Sequence, residues 1–146
     1  MAKAARAIII EDNKLLLMHR NKYGNKYFTL IGGRSNNNES IEQTLIREIK
    51  EETGLDITNF RLVFHEQNPE PYNEQFIFLC DVAPYENIGL QPDSEEAMLN
   101  KLEMTTHQPV WIEADDFSNL PFRSVGLQKA IENSLKNGFP KEPINL

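Results

Sequence analysis

The chain has 146 residues, of which 40% are apolar and 25% are charged, and this composition is typical of an ordinary globular domain. We therefore expect a single domain over residues 1–146. A net charge of −7 argues against binding to long nucleic acids, which requires an excess of lysine and arginine. An acidic chain can still bind a small phosphate-bearing ligand if metal ions bridge the ligand to its carboxylates.

The single cysteine, Cys80, excludes an intrachain disulfide and indicates a reducing compartment, so we expect a cytoplasmic protein. Cys80 lies in an apolar run, which is typical of a packed thiol rather than a nucleophile. The apolar run near the N-terminus, at residues 8–10, is too short for a signal peptide or a membrane span. We therefore expect no membrane partner.

Short runs of apolar and β-branched residues predict three strands early in the chain, at 5–10, 15–19 and 27–31. The Asp12-Asn13 pair is a turn signal, so the first two strands should form a hairpin. The third strand runs into Gly32-Gly33, and a polar loop at 34–38 follows it.

A helix is predicted between Ser40 and Gly54. Ser40 is a good N-cap, and Gln43 three residues later completes a capping box. Apolar residues recur at every fourth position between 41 and 49, which gives the helix a narrow apolar stripe. Gly54 is typical of the residue that follows the end of a helix.

The rest of the chain adds three predicted strands, at 57–66, 74–82 and 109–112. A turn containing Pro69 and Pro71 separates the first two, and residues 94–102 are compatible with a short helix. A second helix should begin near Pro121, since proline suits the first helical position, and it should end at Gly138. Strands interleaved with helices predict an α/β protein with a mixed sheet.

Three glutamates on the predicted helix carry the chemical argument. Glu48, Glu51 and Glu52 are spaced i, i+3 and i+4, so they lie on one face and repel one another. A hard divalent cation such as Mg²⁺ or Mn²⁺ would reverse that repulsion. Arg47 lies four residues before Glu51 and can steady a carboxylate, while Glu39 lies at the favourable N-terminal end. For three acids alone, a solvated surface is the more frequent interpretation.

The complete spacing is far more specific than the three acids. Residues 33–55 read GRSNNNESIEQTLIREIKEETGL, which fits Gly-x5-Glu-x7-Arg-Glu-x-x-Glu-Glu-x-Gly. This segment resembles the Nudix box, and every specified position matches. Seven fixed identities, each with a background frequency of roughly 5–7%, make a chance match rarer than about one in a million.

The resemblance covers most of residues 5–136, although only the box is specific. The segment around Trp111 is similar to a late strand of the Nudix family. Ile31 stands where the family often has proline, the loop at 35–38 is unusually polar, and Thr44 replaces a common alanine. None of these departures touches a required position.

The resemblance implies an α/β/α sandwich with a mixed β-sheet and a loop-helix-loop catalytic motif. It also implies hydrolysis of a diphosphate linkage in a nucleoside-diphosphate-like small molecule, with Mg²⁺ or Mn²⁺ neutralising charge and positioning water. Homodimers are common in the family, so a homodimer is a further expectation. The alternative is a nucleotide-binding or sensor module without catalysis, which would be expected to lose box glutamates; this chain retains them.

By resemblance, Glu48 and Glu52 are the expected metal ligands, and Glu51 is a further ligand. The main-chain carbonyl of Gly32, just before the box, is expected to join them. Glycines at this point allow close approach of the backbone to metal and phosphate. Arg47 is expected to orient a glutamate rather than to touch the substrate.

The general base stays open between the box glutamates and acids of a later loop, Glu51, Glu52, Glu95, Glu96 and Glu103. Glu103 lies eight residues before Trp111, close to where some family members place a distal acid. His107 is also near, but a lone histidine is more often structural.

The substrate also stays open among nucleoside triphosphates, dinucleoside polyphosphates, ADP-ribose and nucleotide sugars. Several aromatic residues are compatible either with stacking on a base or with the core, which is the more frequent role: Tyr23, Tyr27, Phe28, Tyr72, Phe76 and Phe78.

Overall fold

The computed structural model describes residues 3–67, 74–89 and 105–146. Several features of the sequence analysis lie outside the described residues, namely the turn at Pro69 and Pro71, the short helix at 94–102, Tyr72, Glu95, Glu96 and Glu103.

Seven strands are described: Lys3–Glu11 (β1), Lys14–Lys22 (β2), Asn25–Arg34 (β3), Ile57–Gln67 (β4), Glu74–Val82 (β5), Thr105–Glu113 (β6) and Ile144–Asn145 (β7). The helices of the described parts are Ile41–Thr53 (α1), Val125–Asn137 (α2) and a short 3₁₀ helix at Ala114–Asn119. The strands form one sheet in the order β6-β2-β3-β1-β5-β4-β7. Two pairings are parallel, β1 with β5 and β4 with β7, and the others are antiparallel. The predicted mixed sheet is therefore confirmed.

The two α-helices cover opposite faces of the sheet. On one face, Leu45 and Ile49 of α1 are buried in a cluster with Ile31 and other strand residues. On the other face, Leu127 and Ile131 of α2 are buried in a second cluster. This three-layer arrangement is the α/β/α sandwich that the resemblance implied.

Helix α1 forms as its local sequence predicts. The Gln43 backbone N–H donates to Ser40 Oγ at 3.1 Å, and the Ser40 N–H donates to Gln43 Oε1 at 2.9 Å, which is a capping box. Gly54 ends the helix with a left-handed conformation, at φ 79°. The capping box and the terminating glycine are both confirmed.

Helix α2 begins later than predicted. Pro121 lies before the helix in an extended segment, where its carbonyl accepts from the Phe28 N–H at 2.8 Å. Ser124 is the N-cap instead, and its Oγ accepts from the Leu127 N–H at 3.3 Å. The prediction of a start near Pro121 was wrong, because pairing of this segment with β3 delays the first helical turn.

Strand β3 is longer than predicted. It continues through Gly32 and Gly33 to Arg34, since the glycines pair with Arg6 and Ala5 of β1. The two glycines therefore belong to the sheet, and the loop begins after them.

Cys80 is buried on β5, and burial raises the pKa of its thiol to about 12. The interpretation of Cys80 as a packed thiol is therefore confirmed, because a thiol with that pKa stays protonated. No helix in the described parts of the chain is long and apolar enough to cross a membrane.

Candidate active site

The end of β3 brings backbone and acidic side chains together. Gly32 has a φ of 145°, and a Cβ at this position would clash with the carbonyl oxygen of Ala5 on β1. A Cβ on Gly33 would lie 2.7 Å from the carboxyl carbon of Glu48. Gly32 is therefore required by the neighbouring strand, whereas Gly33 leaves room for the carboxylate of Glu48.

Glu48 and Glu52 both face this glycine backbone. Glu52 is completely buried, and its Oε2 accepts from the Gly32 N–H at 3.2 Å. Glu48 is 8% exposed and packs against Gly33. The structure thus brings together two of the three acids singled out in the sequence, and it places them beside the backbone of Gly32 and Gly33.

Glu51, the third acid, is more exposed than the other two and is directed toward Arg47. Arg47 Nη1 lies 3.3 Å from Glu51 Oε2 and 2.9 Å from Glu48 Oε1. Its Nε donates to Glu39 Oε2 at 2.7 Å, and its Nη2 donates to the carbonyl of Arg34 at 3.0 Å. Arg47 therefore contacts three glutamates and ties α1 to the loop that precedes it.

Glu39 anchors this loop. The Arg47 guanidinium lowers the pKa of Glu39 from its ordinary 4.5 to about 2, with help from the Asn36 N–H at 3.0 Å. The same contact raises the pKa of Arg47 above its ordinary value. The pair therefore stays ionised at neutral pH, and Glu39 has the supporting role that the sequence predicted.

Two departures from the usual box interact with each other. Ser35 Oγ lies 2.6 Å from Thr44 Oγ1, and the Thr44 hydroxyl is 2.8 Å from Glu39 Oε1. With Thr44 donating to Glu39, Ser35 donates to Thr44, so both hydroxyls are satisfied. A threonine in place of alanine therefore extends the loop anchor built by Glu39.

Arg6 of β1 is part of the site and was missed in the sequence analysis. It is only 7% exposed, and its Nη1 donates to the Gly32 carbonyl at 2.8 Å and to the Leu30 carbonyl at 3.3 Å. Its Nε donates to Gln75 Oε1 at 3.0 Å. The available signal was an arginine within an otherwise apolar strand, since a buried cation requires partners.

The contacts of Arg6 continue to helix α2. Gln75 Nε2 donates to Glu66 Oε1 at 3.1 Å, and Ser124 Oγ donates to Glu66 Oε2 at 2.6 Å. Because Ser124 is the N-cap of α2, a chain of hydrogen bonds joins the start of that helix to the Gly32 carbonyl through Arg6.

The donors fit a hard divalent cation in type, since carboxylate and carbonyl oxygens are what Mg²⁺ prefers. The Gly32 carbonyl has two lone pairs, and Arg6 occupies one of them. In the described parts of the chain, no three His, Cys, Asp or Glu side chains are grouped to hold a metal as they stand. Glu48 and Glu52 lie at the glycine backbone, whereas Glu51 would have to leave Arg47 to join them.

The aromatic candidates for stacking are dispersed. Phe78 is buried in the core and Phe76 packs against it, whereas Tyr23 is exposed at the tip of the β2–β3 hairpin. Trp111 is stacked with Tyr85, which the sequence analysis did not single out, with ring centroids 6.2 Å apart. Burial, together with a hydrogen bond to Glu11, raises the pKa of Tyr85 to about 12.

The family assignment follows from comparison with known proteins. The model of the NUDIX domain matches residues 1–130, which is most of the chain. The chain therefore belongs to the Nudix family.

Two similar relatives are NAD-capped RNA hydrolases NudC. The protein from Vibrio atlanticus (strain LGP32) is 35% identical over 85 residues, which cover 58% of this chain and 30% of that protein. The protein from Klebsiella pneumoniae subsp. pneumoniae is 27% identical over 127 residues, covering 87% of this chain and 45% of that one. The chain thus spans less than half the length of these relatives.

Solved structures share the fold. The solution structure of the E. coli ORF135 protein has a TM-score of 0.68 and 22% identity, covering 97% of this chain and 95% of that one. An ADP-ribose pyrophosphatase from Streptococcus suis has a TM-score of 0.65 and 20% identity, covering 99% and 96%. At these identities the likeness shows the fold alone.

Proposed function

We propose that this protein hydrolyses a diphosphate linkage in a nucleoside-diphosphate-like substrate and that Mg²⁺ or Mn²⁺ is required. One observation carries the proposal: the carboxylates of Glu48 and Glu52 lie against the Gly32-Gly33 backbone and are 8% and 0% exposed. Two buried carboxylates that face one short backbone segment oppose each other's ionisation. Glu48 already pairs with Arg47, and a divalent cation held by both carboxylates would offset their mutual repulsion.

Glu48, Glu52 and the Gly32 carbonyl are the groups that would hold the cation, and Glu51 is the further ligand. The bound cation would supply charge neutralisation to the diphosphate and would lower the pKa of the attacking water. Arg47 contacts both Glu48 and Glu51, and Glu51 is the more exposed of the two. Glu51 would therefore have to move away from Arg47 to join the cation. The candidates for general base stay Glu51, Glu52, Glu95, Glu96 and Glu103.

The relatives support a substrate with a substantial group on each side of the diphosphate. NAD-capped RNA is named for the NudC relatives, and it carries a nucleoside on each side of its diphosphate. We propose a nucleotide derivative of this kind, whose distal group contacts residues outside the Nudix box.

The test is a panel of diphosphate substrates with product identification. Purified protein is incubated with nucleoside triphosphates, ADP-ribose, a dinucleotide and a nucleotide sugar, each with Mg²⁺ and with chelator. We expect at least one compound to be cleaved between its phosphorus atoms, with no turnover in chelator. Tight nucleotide binding without cleavage of any compound would instead identify a binding module.

A further inference from the structure

The positive charges of this acidic chain are unevenly distributed. Residues 13–38 contain five lysine and arginine residues and no acidic residue, although the whole chain has a net charge of −7. This segment comprises strands β2 and β3, so the cations are concentrated on one hairpin. Such asymmetry indicates an anionic ligand for that part of the surface.

Strand alternation sorts the hairpin residues onto two faces. Arg20 pairs with Tyr27 and Lys22 pairs with Asn25, so their side chains share one face of the hairpin. It is the face of Ile31, which packs with α1, because Tyr27 and Ile31 are four residues apart on one strand. Arg20, Lys22 and Tyr27 therefore lie on the same face of the sheet as the candidate active site.

A third cation joins this face from the segment before α2. Phe122 bridges to Phe28 of β3, and the Arg123 N–H donates to the Phe28 carbonyl at 3.0 Å. This pairing places the Arg123 guanidinium over the Tyr27 ring, 3.8 Å from its centroid. A guanidinium held over an aromatic ring by a cation–π contact can still use its N–H groups to bind phosphate oxygens.

Within the described residues, these three cations have different contacts. Arg20 Nε donates to the hydroxyl of Thr29 at 2.9 Å, which fixes the side chain along the strand. Lys22 and Arg123 are exposed, and neither forms an ion pair within the described residues. These three cations and Tyr27 are called the basic strip below.

The distance between the basic strip and the candidate active site fits the length of an extended nucleotide derivative. Tyr27 precedes Gly32 by five residues on β3, which is about 17 Å at the usual rise per residue in a strand. That distance exceeds the length of a single diphosphate and suits the far end of an extended nucleotide derivative. A substrate bound at Gly32 would therefore reach the strip only with its distal group.

We propose that the basic strip is a subsite for phosphate groups on the distal moiety of the substrate. This inference rests on the proposed diphosphate hydrolysis and narrows its substrate class to compounds with an additional phosphate beyond the scissile diphosphate. The phosphate can be a monoester on a ribose or the first phosphodiester of an attached oligonucleotide, because the strip presents the same donors to both.

Three probes distinguish these sources: NAD, NADP, which has one extra ribose phosphate, and NAD joined to a short single-stranded oligonucleotide. KM and kcat are measured for each with wild type, with Lys22→Ala/Arg123→Ala and with Lys26→Ala/Lys129→Ala. The last variant is a matched control, since it removes the same charge from exposed lysines, one on the opposite face of the same hairpin and one on α2.

We expect wild type to have a lower KM for the phosphate-bearing probes than for NAD. Lys22→Ala/Arg123→Ala should raise that KM about ten-fold, with kcat nearly unchanged, because two charge-assisted contacts are lost. The KM for NAD should change less than about two-fold, and added salt should narrow the difference between probes. A lower KM for NADP alone would mean that the strip binds a phosphate monoester. A lower KM for the oligonucleotide-linked NAD alone would mean that it binds a phosphodiester.

Equal KM values for all three probes in wild type would overturn the inference, as would an equal effect of the control variant. Hydrolysis of other diphosphates but of none of these probes would also overturn the inference, while leaving the proposed function intact. Absence of hydrolysis for every diphosphate would overturn the proposed function itself.

Discussion

Gly32 and Gly33 are neighbours, yet the structure constrains them differently. A side chain at Gly32 meets the fixed backbone of β1, and φ there is 145°. A side chain at Gly33 meets the carboxylate of Glu48, which is the movable end of a flexible side chain. A substitution at Gly32 should therefore mainly lower stability, whereas a substitution at Gly33 should mainly lower activity.

Gly32→Ala should lower the free energy of unfolding by more than about 3 kcal/mol, because strained backbone and a backbone clash add together. Gly33→Ala should leave stability within about 1 kcal/mol and reduce kcat at least about ten-fold, since it displaces Glu48. Denaturant unfolding and steady-state kinetics measure the two effects. Full activity in Gly33→Ala would contradict the position assigned to Glu48.

Glu39 gives a prediction that depends on pH. Its pKa of about 2, against an ordinary 4.5, means that it stabilises the folded state above pH 4.5. That stabilisation is lost as the pH falls from 4.5 toward 2. Glu39→Gln should lower the unfolding free energy by about 2 kcal/mol at pH 7. The difference from wild type should shrink steadily below pH 4.5, and a difference that stays constant down to pH 2 would contradict the ion pair.

At the scale of elements, the sequence predicted the features that depend on residues close together in the chain. The capping box of α1, its terminating Gly54 and the hairpin at Asp12-Asn13 depend on residues within a few positions of one another. The start of α2 depends on pairing of Pro121 with Phe28, almost a hundred residues earlier. Local propensity carries no information on such a contact.

The same limit applies to the candidate site. The spacing of the glutamates on α1 predicted that they share a side of the helix, and Glu48 and Glu52 do face Gly32-Gly33. It did not predict that Glu51 turns to Arg47, nor that Arg6 binds the Gly32 carbonyl. These details depend on the pairing of β1 with β3, and the spacing of residues on a helix contains no information about that pairing.

Arg6 connects elements, and its removal should affect both stability and the site. Arg6→Met should cost about 3 kcal/mol of unfolding free energy, since buried carbonyls and Gln75 lose a charged partner. We also expect the increase in melting temperature on adding Mg²⁺ to be smaller than in wild type, because the Gly32 carbonyl is no longer held. Thermal melts with and without Mg²⁺ measure both.

Arg61→Met is the matched control for Arg6→Met. Arg61 also lies on a strand, but it is exposed, and within the described residues its side chain donates to the carbonyl of Pro140. Its replacement should cost less than about 1 kcal/mol and leave the Mg²⁺ effect unchanged. An equal Mg²⁺ effect in wild type and Arg6→Met would contradict the positioning role of Arg6.

At the scale of the whole molecule, the sheet order explains why the site is where it is. The order places β3 beside β1, so that Arg6 and Gly32 are partners, while α1 returns over the same strands. The parallel pairing of β1 with β5 brings Gln75 next to Arg6. Sequence patterning predicted six of the seven described strands and the α/β class, but it missed the short β7, and strand order depends on contacts distant in the chain.

We propose above that the acids of α1 support metal-dependent cleavage of a diphosphate. Glu52→Gln tests it most directly, because glutamine has the same shape and can still accept from the Gly32 N–H. The measurement is the rate of diphosphate cleavage with Mg²⁺, followed by product analysis, for wild type and Glu52→Gln. We expect the variant to be at least about a hundred-fold slower, with unchanged or slightly higher stability, since like-charge repulsion is relieved. A variant that cleaves at nearly the wild-type rate, or a wild type that is fully active in chelator, would contradict the account.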